Sequence, residues 1–201
     1  MIGLSGGVDS ATTLALAVSV LGSRNVTGLI MPFNRTESVD LASTHARTLR
    51  VVTKELSISP MVESFKGSSD FFSSKVAEGN LHSRIRMTFL YGEAFRSGSL
   101  VMGTSNKSEL LVGYYTKWGD GASDFLPMGD MYKSQVYRLA KELGIPKEIL
   151  ERKPTAELWE GQTDEDELGI DYTTLDQILL GLERQLSFKG ISSKTGIALG
   201  S

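Results

Sequence analysis

Residues 1–10 read Met-Ile-Gly-Leu-Ser-Gly-Gly-Val-Asp-Ser. Positions 2–4 have the look of a buried strand ending. Positions 5–10 form a turn of small and polar residues. Residues 11–21 then place Leu14, Ala15, Val18 and Leu21 on one helical stripe. A strand, a Gly-rich turn and a helix in that order build an anion site. Gly3, Gly6 and Gly7 let the backbone come close to phosphate-like oxygens, and the free N–H groups of the first helical turn point at them. Ser5 and Ser10 add hydroxyls, and Leu4 and Val8 add main-chain groups. Asp9 is the odd member, because a carboxylate repels an anion unless a cation lies between them. Asp9 therefore reads as a magnesium ligand. The plainer alternative is a helix start with Asp9 or Ser10 as its cap.

Composition narrows the classes. The 201 residues carry 21 Lys and Arg against 24 Asp and Glu, a net charge of −3, which argues against a dedicated nucleic-acid binder. There is no cysteine, so disulfides, thiolate metal sites and cysteine nucleophiles are excluded. The two histidines, His45 and His82, are too few for a multi-histidine metal site and read as ordinary helix residues. No apolar run approaches the ~18 residues of a membrane span. Met1 leads straight into the motif with no signal peptide, and a cytoplasmic location is expected.

Working outward, residues 26–31 predict a second strand ended by Pro32, and 38–49 a helix capped by Ser38. Residues 56–58 predict a weak third strand closed by Pro60, and 71–77 a short helix. A longer helix is capped by Asn80 and stopped by Gly98, and 100–102 predict a fourth strand. Short and longer helices follow at 108–112 and 132–143, the latter ended by Gly144 and Pro146. The acidic stretch 153–169 reads as a solvated loop, and 172–186 as the last helix. Strands alternating with helices imply an α/β fold, a doubly wound parallel sheet with helices on both faces. Its ligands belong at the carboxyl ends of the strands.

Two further turns would line that crevice. Residues 103–109, Gly-Thr-Ser-Asn-Lys-Ser-Glu, leave a strand and bring Glu109 toward Asp9. Two carboxylates facing a polyphosphate make a plausible magnesium pair. Residues 116–124, Thr-Lys-Trp-Gly-Asp-Gly-Ala-Ser-Asp, form a Gly-rich loop with Lys117 and Asp124. Lys133 falls in the first turn of the next helix, where the helix dipole disfavours a cation, so a local anion is the expected reason. Any one of these lysines alone reads as a surface residue. Their grouping around Gly-rich loops favours anion binding.

The first turn lacks the lysine of G-x-x-x-x-G-K-[ST] and does not match G-x-G-x-x-G. It resembles the pyrophosphate-binding loop of the ATP pyrophosphatases. The whole chain resembles the ammonia-dependent NAD synthetases within that group, whose fold is adenine nucleotide alpha hydrolase-like and Rossmann-like. The motifs that carry the likeness are S-G-G-V-D-S, then G-N-L-H-S-R-I-R-M (79–87), G-T-S-N-K-S-E, T-K-W-G-D-G-A-S-D, K-P-T-A-E-L-W (153–159) and D-E-L-G-I-D-Y (166–172).

The resemblance implies amidation of deamido-NAD to NAD with ammonia. ATP adenylates the nicotinate carboxylate, pyrophosphate leaves, and ammonia displaces AMP. By position, Gly3, Leu4, Ser5, Gly6, Gly7, Val8, Asp9 and Ser10, with Thr104, Lys133 and Thr155, match ATP contacts. Asp9 and Glu109 match the Mg2+ ligands. Arg84, Lys117 and Asp124 match deamido-NAD contacts, and Asp9, Glu109, Lys133 and Asp124 are the expected catalytic set. The resemblance also implies a homodimer, while the net charge and the lack of a long apolar run lead to no expected nucleic-acid or membrane partner. The family usually has a helix before the first strand and a His-Lys tail after the last helix. Residues 1–201 are therefore expected to be one domain trimmed at both termini. Two rivals remain at this point: a relative that amidates or thiolates another substrate, and a non-catalytic nucleotide-binding sensor.

Overall fold

The computed structural model describes residues 1–155, 159 and 161–197. Three parallel strands form the sheet: β1 (Ile2–Gly3), β2 (Thr27–Ile30) and β3 (Val52–Glu55), in the order β1-β2-β3. Ile2 pairs with Gly28, and Thr27 with Val52. Single parallel bridges from Ile2 to Met102 and from Met102 to Phe125 carry the pairing past β1. The fourth strand expected at 100–102 is thus only a one-residue bridge.

The helices are α1 (Val8–Leu21), α2 (Glu37–Thr48), α3 (Ser59–Ser68), α4 (Lys75–Ser97), α5 (Lys107–Val112), α6 (Lys133–Glu142), α7 (Lys147–Leu150), α8 (Asp164–Leu168), α9 (Tyr172–Glu183) and α10 (Phe188–Thr195). Alternating residues of the short strands face opposite cores. Ile2, Leu4 and Ile30 pack with Leu14 and Ala17 of α1 and with Val39, Ala42 and Ala46 of α2. Met1, Leu29 and Met31 pack on the other side with Val62 of α3 and with Leu81, Ile85 and Ala94 of α4. Helices therefore cover both faces, as the sequence predicts. A third cluster joins Val8, Ala11 and Ala15 of α1 to Ala140 of α6 and Ile149 of α7. It holds α6 against the helix that carries the first turn.

Several boundaries differ from expectation. The third strand lies at 52–55 and not at 56–58, because Ile58 is buried as the entry to α3, with Pro60 in its first turn. The short helix expected at 71–77 is divided between a 3-10 turn at Asp70–Phe72 and the first turn of α4, which starts at Lys75. Ser74, not Asn80, caps α4, its side chain accepting from the Ala77 N–H at 3.2 Å. Thr36, not Ser38, holds the N-cap position of α2. The acidic stretch contains α8, whose cap Thr163 accepts from the Asp166 N–H, and α10 adds a helix where none is expected. No described helix is long and apolar enough to cross a membrane.

Candidate active site

The turn after β1 is bound by its own hydroxyls. The Gly7 N–H donates to Ser5 Oγ at 3.2 Å, the Ser5 N–H donates to Ser10 Oγ at 3.3 Å, and Ser10 Oγ donates to the Gly7 carbonyl at 3.1 Å. Gly6 has φ +84°, and a Cβ there would stand 2.3 Å from the Ser38 carbonyl oxygen, so the turn lies flat on α2 only because this residue is glycine. The N-cap of α1 is Gly7, and among the described residues no side chain caps this helix. That removes the plainer alternative, a cap by Asp9 or Ser10. The first amide groups of a 14-residue helix keep their capacity to bind an anion.

Asp9 meets the second turn and the start of α6 through one bond each. Its Oδ1 accepts from Asn106 Nδ2 at 3.0 Å and its Oδ2 from Lys133 Nζ at 2.6 Å. Glu109 Oε1 also accepts from Lys133 Nζ, at 3.1 Å. Asn106 caps α5 reciprocally: its Oδ1 accepts from the Glu109 N–H at 3.1 Å, and its own N–H donates to Glu109 Oε2 at 3.2 Å. Buried Asn106 thus orients both carboxylates, Asp9 through its side-chain amide and Glu109 through its backbone N–H. The Lys133 side chain is 2% exposed, and its Nζ lies 4.8 Å above the Tyr172 ring. The local anion expected at the start of α6 is this carboxylate pair.

Burial works against the charge of Lys133, but Asp9 and Glu109 overcome it, so its ammonium is held protonated with a pKa raised well above 10.5. Burial pushes the Glu109 carboxyl up to about 7 against the pull of Lys133, and the charge of Asp9 adds to the rise. The donor chemistry suits magnesium, since two carboxylates converge on one cation. Among the described residues there is no cluster of three or more His, Asp or Glu side chains that could hold a metal unaided. Asp9 and Glu109 would supply two ligands and leave the rest to phosphate oxygens and water.

The other expected residues divide. Gly103 and Thr104 join the Met102 bridge to α5. A Cβ on Gly103 would lie 2.8 Å from Ser123 Cβ as well as 2.5 Å from a Leu126 methyl, so this close approach also favours glycine. Arg84, exposed on α4, donates from Nε to the Lys117 carbonyl at 3.2 Å, and Lys117 Nζ lies 5.6 Å from the centre of the Trp118 ring. The structure therefore brings Arg84 and Lys117 together. Asp124 stands outside the Lys133 hydrogen-bond cluster. Its Oδ2 accepts from the Val101 N–H at 2.7 Å and its Oδ1 from Tyr91 Oη at 3.4 Å. Thr155 is half-buried after α7, and residues 156–158 of its motif lie outside the described residues. Asn106 and Tyr172 were not anticipated. Asn106 had a signal, a capping residue three positions before a glutamate, whereas Tyr172 had none.

A sequence model of the family described as NAD synthase matches residues 1–199. The chain belongs to the NAD synthase family. The NH(3)-dependent NAD(+) synthetase of Thermococcus kodakarensis is 51% identical over 179 residues, covering 89% of this chain and 70% of that protein. Among solved structures of the family's fold, an NMN synthetase from Francisella tularensis is 40% identical with a TM-score of 0.85, covering 100% of this chain and 87% of that one. The NH3-dependent NAD synthetase from Campylobacter jejuni, solved with a nitrate ion, is 34% identical with a TM-score of 0.77, covering 96% and 80%.

Proposed function

We propose that this NAD synthase family member is an ATP-dependent ligase that amidates deamido-NAD to NAD with ammonia. The observation that carries the reading is the buried Lys133 ammonium joining Asp9 and Glu109 beside an uncapped helix start. The turn of Gly3, Leu4, Ser5, Gly6, Gly7, Val8 and Ser10, with Thr104 and Thr155, would receive ATP. The substrate carboxylate attacks the α-phosphorus, a carboxyl–phosphate bond forms, and the bond to pyrophosphate breaks. Lys133 offsets charge growing on that leaving group. Mg2+ held by Asp9 and Glu109 would supply further Lewis-acid stabilisation. Arg84 and Lys117 would orient the acid substrate. Ammonia then adds to the adenylated carbonyl and AMP departs.

Ammonia is the fitting donor, because these 201 residues contain no cysteine thiol to hydrolyse glutamine. Asp124 keeps acceptor capacity beyond its bonds to Val101 and Tyr91, and we assign it to the substrate end of the site. We further read residues 1–201 as one catalytic domain of a cytoplasmic homodimer. Exposed apolar side chains along and beside α4, among them Val76, Phe95 and Leu100, offer apolar surface that a second copy could cover.

A second reading keeps the chemistry and changes the substrate. The Francisella neighbour is described as an NMN synthetase, so the corresponding mononucleotide acid is a candidate here as well. Purified protein should be assayed with ATP, magnesium, ammonium chloride and each acid in turn, with products separated by chromatography. AMP and pyrophosphate are expected, with a rate that climbs as ammonium is deprotonated. Stoichiometric ADP, or efficient use of glutamine by the isolated chain, would overturn the assignment.

A further inference from the structure

Lys133 is the first residue of α6, and the first amide groups of a helix have no acceptor within it. Here those groups are met from α5 and α9. The Ser134 N–H donates to Asp176 Oδ2 at 2.8 Å, and the Lys133 N–H donates to Ser108 Oγ at 2.9 Å. The Ser108 hydroxyl in turn donates to Asp176 Oδ1. Ser108 is fully buried and Asp176 nearly so. One carboxylate therefore fixes the start of α6 and the first turn of α5 at a single point. Those two turns carry Lys133 and Glu109, and Ser108 is the residue directly before Glu109.

Seven positions further along α9, Glu183 grips the same two helices on their outer side. Its Oε1 accepts from Lys107 Nζ at 2.6 Å and its Oε2 from Tyr132 Oη at 2.8 Å. Lys107 and Tyr132 are not in the ammonium–carboxylate cluster. The two acids on α9 thus make a natural comparison. Both tie α9 to α5 and α6, but only Asp176 touches the backbone that aims Lys133.

We propose that Asp176 is a positioning residue, which through Ser108 and the start of α6 sets the Lys133 ammonium between Asp9 and Glu109. The proposal rests on the functional reading only in its kinetic arm. An error of about 1 Å in a catalytic group costs on the order of 10²-fold in rate. Asp176→Ala leaves the Ser134 N–H and the Ser108 hydroxyl without their acceptor, so kcat should fall on that order while the KM for ATP stays within about three-fold. Asp176→Asn keeps one acceptor oxygen and should recover part of kcat. Glu183→Gln should stay near the parent.

The second readout needs no turnover. Lys133 is buried and ion-paired, so a water-soluble acylating reagent followed by peptide mass spectrometry should label it slowly in the parent. Labelling should be much faster in Asp176→Ala, with helix content unchanged by circular dichroism. If Asp176→Ala does not fold, Ser108→Ala removes only the hydroxyl link and carries both readouts. A folded variant with parental kcat and parental Lys133 labelling overturns the proposal, and so does an equal loss in Glu183→Gln. A parent that makes no amide yet gives the labelling contrast overturns the function and upholds the role of Asp176.

Discussion

Replacing Lys133 with methionine keeps much of its length and removes its charge, leaving Asp9 and Glu109 without the cation they share. Removing one partner of a buried ion pair costs about 3–5 kcal/mol when the other stays charged. Glu109 has a way to escape that cost. Burial already lifts its carboxyl to about 7 against the pull of Lys133, so without the ammonium the value must rise further. The sign follows from proton counting. Between the ordinary 4.5 of the unfolded chain and its folded value, Glu109 holds its proton more tightly in the native state, so stability falls as pH rises through that window.

In the parent the fall ends near pH 7, where Glu109 has ionised beside Lys133, and Lys133 stays charged throughout. In Lys133→Met the fall continues into the alkaline range at about 1.4 kcal/mol per pH unit. The stability gap between the two proteins should therefore be smallest at and below about pH 6 and widen by up to roughly 3 kcal/mol between about pH 7 and pH 9. Urea unfolding of both proteins across that range measures it. A gap that stays constant with pH would refute the account of Glu109 as a group held near neutrality by burial.

Asp9→Asn and Glu109→Gln should each cost ~10²–10³ in adenylation rate, read as pyrophosphate release, because each removes charge stabilisation at the leaving group; near-parental rates at low magnesium would remove both from the metal site. His82 stacks on Phe33 at 4.4 Å, and neither ring nitrogen finds a hydrogen-bond partner. Burial, aided by the charge of Arg86, pulls its pKa from 6.5 to about 4. The unfolded chain takes up that proton first, so stability held above pH 6.5 is lost as pH falls toward about 4, by roughly 3 kcal/mol at most. His82→Phe should flatten this acid limb in equilibrium unfolding, and an unchanged limb would show that other groups produce it.

What could be read from the sequence was local. The strand–turn–helix of residues 1–21 and the Gly98 stop of α4 both depend on residues within a few positions of one another. The errors arose where a distant contact outweighed a local signal. Residues 56–58 look like a strand because Ile58 is apolar, but Ile58 is fully buried as the lead-in to α3, while the real strand at 52–55 is a mostly exposed edge. Gly79-Asn80 reads as a helix start, yet α4 runs through it with Gly79 buried. The acidic run at 164–168 looks solvated. Asp164 is nevertheless buried, accepting from Tyr114 Oη and Tyr172 Oη at 3.2 Å each, and acids in a first helical turn suit the dipole.

Lys133 shows how a local anomaly can report a non-local fact. A lysine at the start of a helix faces the dipole's positive end, and the acid nearest in sequence, Asp130, pairs with Lys107 instead. The compensation comes from Asp9, 124 positions away, and Glu109, 24 away. The need is mutual. Two acids directed at one point repel each other, and in a site this enclosed the repulsion is poorly screened. A permanently charged lysine between them lets the chain fold with both acids already aimed, and Asn106 and Asp176 fix the turns from which they project. The unfavourable placement of one cation is thus a condition for assembling the carboxylate pair. Lys133 should accordingly contribute to folding stability and to chemistry together, and Lys133→Met should impair both even where Asp9 and Glu109 remain.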